Sequence, residues 1–465
     1  MPVPQKSLIL CFDGTWNTLK TNTNVARIYS EIADASTGSP SQRKFYDEGV
    51  GTQWYDRIRG GAFGFGLDRN IRMGYAWLAS VYESAAAANA AQLPGNAKAT
   101  HKPNGDLVGT PPHSSGKEFL VGSDIYLLGF SRGAFTARSL GGIINYLGIP
   151  GIDPATIDPN AGMLADHPLI QQAWSLYVAR PTPAERQAIK DKIASSDLVA
   201  RAKEHDATVA AFRAATTTRY PVRLHFVGVW DTVGALGIPR ALDYNWIPRF
   251  SSQYQFHDTK LCESVRNAFH AIAIDEQRLP YTATLWTDNC LHTTEQVEQR
   301  WFPGAHGDVG GGYQDDLLPA PPLQWLADRA AACGLEFIND RRLPAPDGGI
   351  AAAVAKTPAA FDLDGTEYLS PVHDTYAEFM DGTYRIMRSI PGMGGRVYRR
   401  MLVPSDGVNQ RVDETAFEKW KADPEYRPPN LGQAGRTDVT YHVAQGDDGE
   451  GAVITVAAVP TPSKG

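Results

Sequence analysis

The chain has 465 residues, of which 43% are hydrophobic and 20% are charged, and its formal net charge is −7. This length and composition indicate a globular protein with a sizeable core, built as one large domain or as two to three smaller ones. The negative charge argues against a nucleic-acid partner and provides no global attraction to anionic lipid.

The first predicted element is a buried strand over Ser7–Phe12, and the loop after it begins Asp-Gly-Thr. Loops at the carboxyl ends of parallel strands build the sites of α/β proteins. The N–H group of Gly14 or Thr15 is therefore a candidate oxyanion donor, and the alternative is a structural Asx turn made by Asp13. A haloacid-dehalogenase phosphatase would need an aspartate where this chain has Cys11, which disfavours that reading.

Residues 44–52 predict a second strand and a glycine turn, and residues 68–82 predict a helix with one apolar side. The glycines of residues 60–66 are spaced G-x-x-G-x-G, which is not the dinucleotide-binding pattern. Residues 85–118 are rich in proline and glycine and predict a surface insertion or a flexible loop.

Residues 124–142, DIYLLGFSRGAFTARSLGG, predict a buried strand, a tight turn and a helix. The turn has the form G-x-S-x-G, the nucleophile elbow, in which Gly129 and Gly133 leave room for a strained Ser131. The helix directs its first N–H groups at any anion forming there, so the N–H of Arg132 is a natural oxyanion donor. The pattern alone is weak, and its specificity comes from the strand and helix around it.

Seven further elements are expected between this turn and residue 333. They are helices at 169–180, 183–215, 260–273 and 322–333, and strands at 222–230, 281–286 and 299–302. Insertions at about 150–220 and 236–260 follow strand ends and would form a cap over Ser131; the second is rich in aromatic residues.

The predicted fold is an α/β-hydrolase-like, mostly parallel sheet with helices on both faces. We expect the catalytic domain over residues 1–345. Periodicity weakens beyond it, although 368–388 and 437–459 contain further elements. A C-terminal extension over residues 346–465 is therefore expected to pack on or beside that domain.

An elbow serine requires a histidine base and a carboxylate that orients it, in the chain order Ser, Asp or Glu, His for α/β-hydrolases. Asp231 directly follows a predicted strand, and His306 lies in the glycine-rich loop PGAHGDVGGG after another strand. The sequence therefore predicts a triad of Ser131, Asp231 and His306. The alternatives left open are Asp288, Asp275 and Asp308 for the acid, and His373 and His270 for the base.

No residue pattern indicates a metal or cofactor, and a serine hydrolase of this kind requires none. The four cysteines form no C-x-x-C pair and lie in or beside apolar segments, so free buried thiols are expected. The N-terminal apolar run is too short for a signal peptide, and no apolar stretch reaches 18 residues. We therefore expect a protein that is cytoplasmic as synthesised, or that leaves the cell by a route using no such signal.

Six sequence blocks, in chain order, carry a family resemblance: LILCFDGTWN, FYDEGVGT, IYLLGFSRGAFTAR, FVGVWDTVG, HAIAIDEQR and RWFPGAHGDVGGGY. Together they resemble the DUF2235 family of α/β-hydrolase-like proteins, which includes a class of bacterial type VI secretion phospholipase effectors. The resemblance implies Ser131 as nucleophile and a phospholipid or other ester as substrate, met at a membrane surface. It also implies delivery by type VI secretion, with the secretion apparatus or an immunity protein as partner. The segment around His373 also resembles a later family block.

The sequence-based hypothesis is thus a serine-dependent carboxylic-ester hydrolase, a phospholipase of the A type. Two alternatives use the same fold: a carboxylesterase acting on soluble substrates, and a binding protein without catalysis.

Overall fold

The structure is a computed structural model, and it describes most of the chain between residues 6 and 457. The described residues are 6–14, 17–37, 39–49, 67–83, 98–101, 107–110, 119–152, 164–234, 261, 264–278, 281–287, 297–313, 317–338, 363, 365–375, 400, 408–432, 438–444 and 453–457.

The strands of the described residues form one large sheet and one small sheet. They are β1 Ser7–Phe12, β2 Gln42–Asp47, β3 Lys98–His101, β4 Leu107–Thr110, β5 Phe119–Leu120, β6 Asp124–Phe130, β7 Leu224–Trp230, β8 Val265–Ala273, β9 Val297–Phe302, β10 Gln410–Asp413, β11 Asp438–Ala444 and β12 Val453–Ala457.

Helices separate most strands of the large sheet, and none of those described is long and apolar enough to cross a membrane. They are α1 Asn24–Glu31, α2 Leu67–Val81, α3 Arg132–Leu147, α4 Pro168–Val178, α5 Pro183–Lys190, α6 Ser196–Ala215, α7 His306–Gly310, α8 Ala320–Ala332, α9 Glu414–Ala422 and α10 Pro429–Gly432, with 3₁₀ turns at Leu164–Asp166 and Glu367–Leu369.

The large sheet has nine strands in the order β12-β11-β10-β9-β8-β7-β6-β1-β2. Its neighbouring strands are parallel except for the pair β11 and β12. Phe130 at the end of β6 is in register with Trp230 at the end of β7. The residues that follow these strands, Ser131 and Asp231, therefore emerge side by side at the carboxyl edge of the sheet, where α/β proteins place their sites.

Alternate residues of β1 enter two different core layers, as the period of a strand requires. Leu8, Leu10 and Phe12 pack with residues of α2, α3, α4 and α6 on one face of the sheet. Ile9 and Cys11 pack with residues of α1 and α8 on the other face. The expected α/β architecture, a mostly parallel sheet covered by helices on both faces, is confirmed.

Some predicted elements are wrong in type. Residues 260–273 were expected to be a helix, but they contain the buried strand β8, because a short apolar run at this length fits a buried strand and a buried helix equally. Residues 281–286 were expected to be a strand, but they are not part of the sheet. Within them, Ala283 forms an isolated β-bridge with Val233. The helix expected over 183–215 is two helices, α5 and α6, because Lys192 has a φ of 59° between them.

Two segments expected to be insertions contain regular secondary structure. The proline-rich segment at 85–118 contains β3 and β4, which pair with β5 as a small antiparallel sheet. The part of the first cap insertion from residue 164 onward contains α4, α5 and α6. The glycine loop at 60–66 and the aromatic insertion at 236–260 lie outside the described residues.

The chain beyond residue 346 joins the large sheet, because β10 pairs in parallel with β9. It also contacts the loops near the carboxyl edge. The hydroxyl of Tyr426 donates to Asp275 Oδ2 at 2.9 Å. The ammonium of Lys419 donates to the carbonyls of Tyr368 and Ser370, which joins α9 to a preceding C-terminal turn. The C-terminal chain therefore packs against the loops at the carboxyl edge of the sheet.

Candidate active site

Ser131 occupies the turn between β6 and α3 with φ 59° and ψ −121°, a backbone conformation that L residues rarely adopt. A Cβ on Gly129 would lie 2.5 Å from the carbonyl oxygen of Gly133, and a Cβ on Gly133 would lie 2.1 Å from that of Phe12. No side chain fits at either position. These two glycines let the turn close tightly against the end of β1 and hold the serine in its strained conformation.

The structure brings Ser131, His306 and Asp231 into one hydrogen-bonded chain. Ser131 Oγ lies 2.8 Å from His306 Nε2, and His306 Nδ1 lies 2.5 Å from Asp231 Oδ2. All three side chains are buried. They come from three neighbouring regions of the carboxyl edge: the β6–α3 turn, the end of β7, and the start of α7 after β9. This is the arrangement of nucleophile, base and orienting acid that acyl transfer requires.

The electrostatic environment favours a neutral His306 and an ionised Asp231. Burial lowers the pKa of His306 from its ordinary value, although the hydrogen bond and charge of Asp231 oppose that effect. Burial opposes ionisation of Asp231, but the charge of Arg400 and the hydrogen bond from His306 hold the pKa of this carboxyl well below its usual range. An ionised carboxylate only accepts, so His306 carries its proton on Nδ1 and leaves Nε2 to accept the serine proton.

His306 is held in place through both its ring and its backbone. The rings of Phe130 and Tyr281 lie with centroids 4.7 and 4.8 Å from it. Its backbone N–H, in the first turn of α7, donates to Glu276 Oε2 at 3.3 Å. Glu276 in turn forms a buried ion pair with Arg278, with an N–O distance of 2.7 Å. The base is therefore fixed in position by packing and by a second carboxylate.

Arg400 is a site residue that the sequence analysis missed. Its Nη1 and Nη2 donate to Asp231 Oδ1 and Oδ2 at 2.5 and 2.9 Å. The same two nitrogens also donate to the carbonyls of Ala273 and Tyr281. The two partners are 169 positions apart and no motif surrounds the arginine, so no local signal points to the contact. It is decided by where the C-terminal chain packs.

The N–H groups expected to bind the oxyanion differ in their surroundings. The N–H of Arg132 belongs to the first residue of the 16-residue helix α3, directly after the nucleophile. A Cβ on Gly14 would lie 3.4 Å from the Cβ of Ser131, so this backbone is close to the site. However, the Gly14 N–H donates to Asp13 Oδ1 at 2.6 Å and is engaged in the turn made by Asp13. Thr15 lies outside the described residues.

Asp13 is the centre of a polar cluster that supports this turn. Its Oδ2 accepts from the hydroxyls of Thr23 and Tyr46, each at 2.6 Å. Burial raises the pKa of Asp13, and these hydrogen bonds oppose that effect. Thr23 is also the N-cap of α1, where its Oγ1 accepts from the N–H of Ala26 at 3.1 Å. The loop after β1 is thereby tied to β2 and α1.

The alternative acids hold the loops around the triad. Asp275 Oδ2 accepts from the N–H of Gly304 at 2.7 Å. Asp308 Oδ2 accepts from the N–H of Ala305 at 2.8 Å and so caps α7. Asp288 lies outside the described residues. The two described rivals therefore position the segment that carries His306, whereas Asp231 contacts the imidazole itself.

The alternative bases have other partners. His373 Nδ1 lies 2.6 Å from Asp308 Oδ1, and its ring stacks on Tyr313 with a centroid separation of 3.8 Å. His270 is fully buried, and burial lowers its pKa to about 3. Its Nε2 accepts from the N–H of Thr232 at 3.1 Å. Both histidines thus join neighbouring segments, and the structure places His306 beside the serine.

Comparison with known proteins identifies the family. The family model of the catalytic domain of Tle1-like phospholipase effectors of the type VI secretion system matches residues 6–329. This match covers well over half of the chain and all three residues of the hydrogen-bonded chain. It confirms the phospholipase effector family that the six sequence blocks resemble.

Individual relatives are distant. The uncharacterized protein YEL023C of Saccharomyces cerevisiae is 22% identical over 448 residues, which is 89% of this chain and 52% of the yeast protein. A crystal structure of an uncharacterized protein from Pseudomonas aeruginosa is 17% identical, with 72% of this chain and 46% of that chain covered and a TM-score of 0.36. A structure of the Tle1 effector bound to the VgrG spike from the type VI secretion system is 16% identical, with 70% and 54% covered and a TM-score of 0.29. The chain spans about half the length of these proteins.

Proposed function

We propose that this chain, which belongs to the family of Tle1-like type VI secretion phospholipase effectors, hydrolyses acyl esters of glycerophospholipids with Ser131 as nucleophile. The observation that supports the chemistry is the hydrogen-bonded series from Ser131 through His306 to Asp231 at a strained strand–helix turn. The lipid class rests on the family, because a triad alone is shared by many esterases.

In the acylation step, Ser131 Oγ attacks the ester carbonyl carbon and transfers its proton to His306 Nε2. The imidazolium is stabilised by the ionised Asp231, which accepts the Nδ1–H. The carbonyl oxygen becomes an oxyanion that accepts from the N–H of Arg132, at the positive end of the α3 dipole. Collapse of the tetrahedral intermediate breaks the bond to the leaving alcohol, which takes the proton from Nε2. The products of this step are the lysophospholipid and the acyl-enzyme.

Deacylation repeats the same steps with water as the nucleophile. His306 Nε2 removes a proton from the water as its oxygen attacks the acyl carbon, and the same proton returns to Ser131 Oγ when the fatty acid leaves. The buried position of the triad residues excludes bulk water from their mutual hydrogen bonds, so their geometry is preserved through both steps.

The nucleophile is tested by fluorophosphonate labelling of the full chain. The wild type is expected to be labelled, Ser131→Ala is expected to lose the label, and Ser30→Ala is the control because Ser30 is a surface serine of α1. Removal of a triad member typically lowers the rate by ~10⁴ to 10⁶. A Ser131→Ala protein that keeps more than about a tenth of wild-type hydrolysis would contradict the assignment.

The substrate class is tested with phospholipid vesicles and one short-chain soluble ester, with fatty acid release measured directly. We expect release from the vesicles, with lysophospholipid as the second product. Turnover of the soluble ester without release from any phospholipid would indicate a carboxylesterase. No labelling and no turnover in the wild type would indicate a binding protein on the same fold.

The effector role is a further part of the proposal, and it is supported by the family description. Delivery through the secretion apparatus would bring the enzyme to the membranes of a target cell. This role is tested by mixing target cells either with cells that express the wild type or with cells that express Ser131→Ala, and counting the surviving target cells. Equal survival of the target cells in both cases would separate the enzymatic activity from an effector function.

A further inference from the structure

We propose that Arg400 is a positioning residue of the active site, which fixes the carboxylate of Asp231 so that it orients His306. This inference rests on the proposed hydrolase function. It extends the catalytic unit beyond residue 329, where the match to the family's catalytic domain ends. The C-terminal chain would then be a component of the active site as well as a support for it.

Arg400 is 2% exposed and forms a two-pronged contact with Asp231, one guanidinium nitrogen to each carboxylate oxygen. A planar guanidinium fixes both the distance and the plane of a carboxylate, which a single hydrogen bond cannot do. Asp231 Oδ1 also accepts from the N–H of Ala273 at 3.0 Å, so Oδ2 is directed at His306.

The guanidinium is itself anchored to the scaffold. Its Nη1 donates to the carbonyl of Ala273 at the end of β8, and its Nη2 donates to the carbonyl of Tyr281. The ring of Tyr281 packs edge-on against His306. The arginine therefore joins three groups that contact the base or the acid.

Arg400 also affects the charge balance around His306. The charged groups that act on His306 include Asp231 and Glu276, which raise its pKa, and Arg278, which lowers it. Arg400 acts on the same network through Asp231, whose carboxylate it neutralises in part. This cation makes the imidazolium less favourable, so it keeps His306 neutral, and therefore active, at lower pH.

Other contacts also attach the C-terminal chain to the rest of the protein. Attachment alone therefore does not explain why Arg400 contacts Asp231. Arg300 on β9 pairs with Asp413 at the end of β10 at 3.3 Å and with Glu298 at 2.6 Å. Tyr426 donates to Asp275. The contacts of Arg300 with Asp413 and of Tyr426 with Asp275 also join the C-terminal chain to earlier segments, but they do not touch the carboxylate of Asp231. Replacement of Arg300 is therefore a control for a purely structural role.

The experiment compares Arg400→Met, Arg400→Lys and Arg300→Met in the full chain, with kcat/KM for a short-chain ester measured from pH 5 to 9. Arg400→Met keeps much of the buried volume and removes the charge. We expect its plateau kcat/KM to fall about 10- to 100-fold, because small displacements of a catalytic group can cost ~10²-fold. We also expect the acid limb of its profile to move to higher pH, because the cation that partly neutralises Asp231 is lost.

The control variants separate this role from a loss of stability. Arg400→Lys keeps the charge, and its acid limb is expected to stay near that of the wild type while the plateau falls. Arg300→Met loses two buried ion pairs that contact no member of the triad, so it is expected to lower the melting temperature without moving the acid limb. If Arg400→Met does not fold, the proposal is tested by the plateau kcat/KM of Arg400→Lys. A plateau equal to that of the wild type would overturn the proposal.

Two further outcomes would also overturn it: an unchanged acid limb in folded Arg400→Met, or an equal shift in Arg300→Met. Failure of the underlying hydrolase function is distinguishable, because it would appear as wild-type protein that is not labelled at Ser131 and does not turn over the ester.

Discussion

Replacement of Asp231 by asparagine is the most informative single change, because this carboxylate accepts from four donors. His306 Nδ1 and Arg400 Nη2 face Oδ2, and the N–H of Ala273 and Arg400 Nη1 face Oδ1. The amide of asparagine has one accepting oxygen and one donating NH₂ group. In either orientation, the NH₂ group points at two donors, and two hydrogen bonds are lost.

The effect on activity follows from the tautomer. If the NH₂ group faces His306, then Nδ1 must accept and Nε2 must carry the proton, so the imidazole cannot remove the proton of Ser131. The corresponding change in serine proteases lowers kcat by ~10⁴. The effect on stability follows from Arg400, which would lose its anion in a buried site. Breaking a buried ion pair in this way typically costs about 3–5 kcal/mol.

The assay is ester hydrolysis by Asp231→Asn, with its unfolding free energy measured in parallel and activity recorded well below its melting temperature. Asp288→Asn is the matched comparison, because Asp288 is the rival acid that follows a later apolar segment. We expect Asp288→Asn to keep most of the wild-type rate. A strongly impaired Asp288→Asn beside an active Asp231→Asn would refute the assignment and place the acid elsewhere.

Three other predictions are independent of that one. Because burial lowers the pKa of His306 and only the neutral imidazole can accept the proton of Ser131, kcat/KM measured against pH is expected to fall on the acid side with a midpoint below the ordinary pKa of histidine. His373→Ala is expected to keep this profile; loss of turnover there with an active His306→Ala would reverse the choice of base. Gly133→Ala would place a Cβ 2.1 Å from a backbone carbonyl, so chemical denaturation should show a loss of at least about 1–3 kcal/mol. The control Gly234→Ala, whose Cβ would meet nothing within 4 Å, should show little change.

The sequence alone predicted the parts of the site that depend on local structure. The apolar run before Ser131 and the glycines around it determine a strand, a turn and a helix, because their constraints act within a few residues. Asp231 and His306 were predicted from their positions after apolar strands, since parallel strands end at one edge of the sheet. The spacing of these residues in the sequence does not show that they touch. The structure shows the hydrogen bonds that join His306 to Asp231 and to Ser131.

Only the tertiary structure decided the features that depend on distant parts of the chain. The sequence predicts a helix for the apolar segment of β8, because the periodicity of a short buried run fits a helix and a strand equally. Hydrogen bonds to the neighbouring strands make this segment a strand. The engagement of the Gly14 N–H by Asp13 depends on a cluster that includes Tyr46 of β2. Arg400 reaches Asp231 because the C-terminal chain packs against the end of β8, and a buried ion pair between residues 169 positions apart leaves no pattern in the sequence.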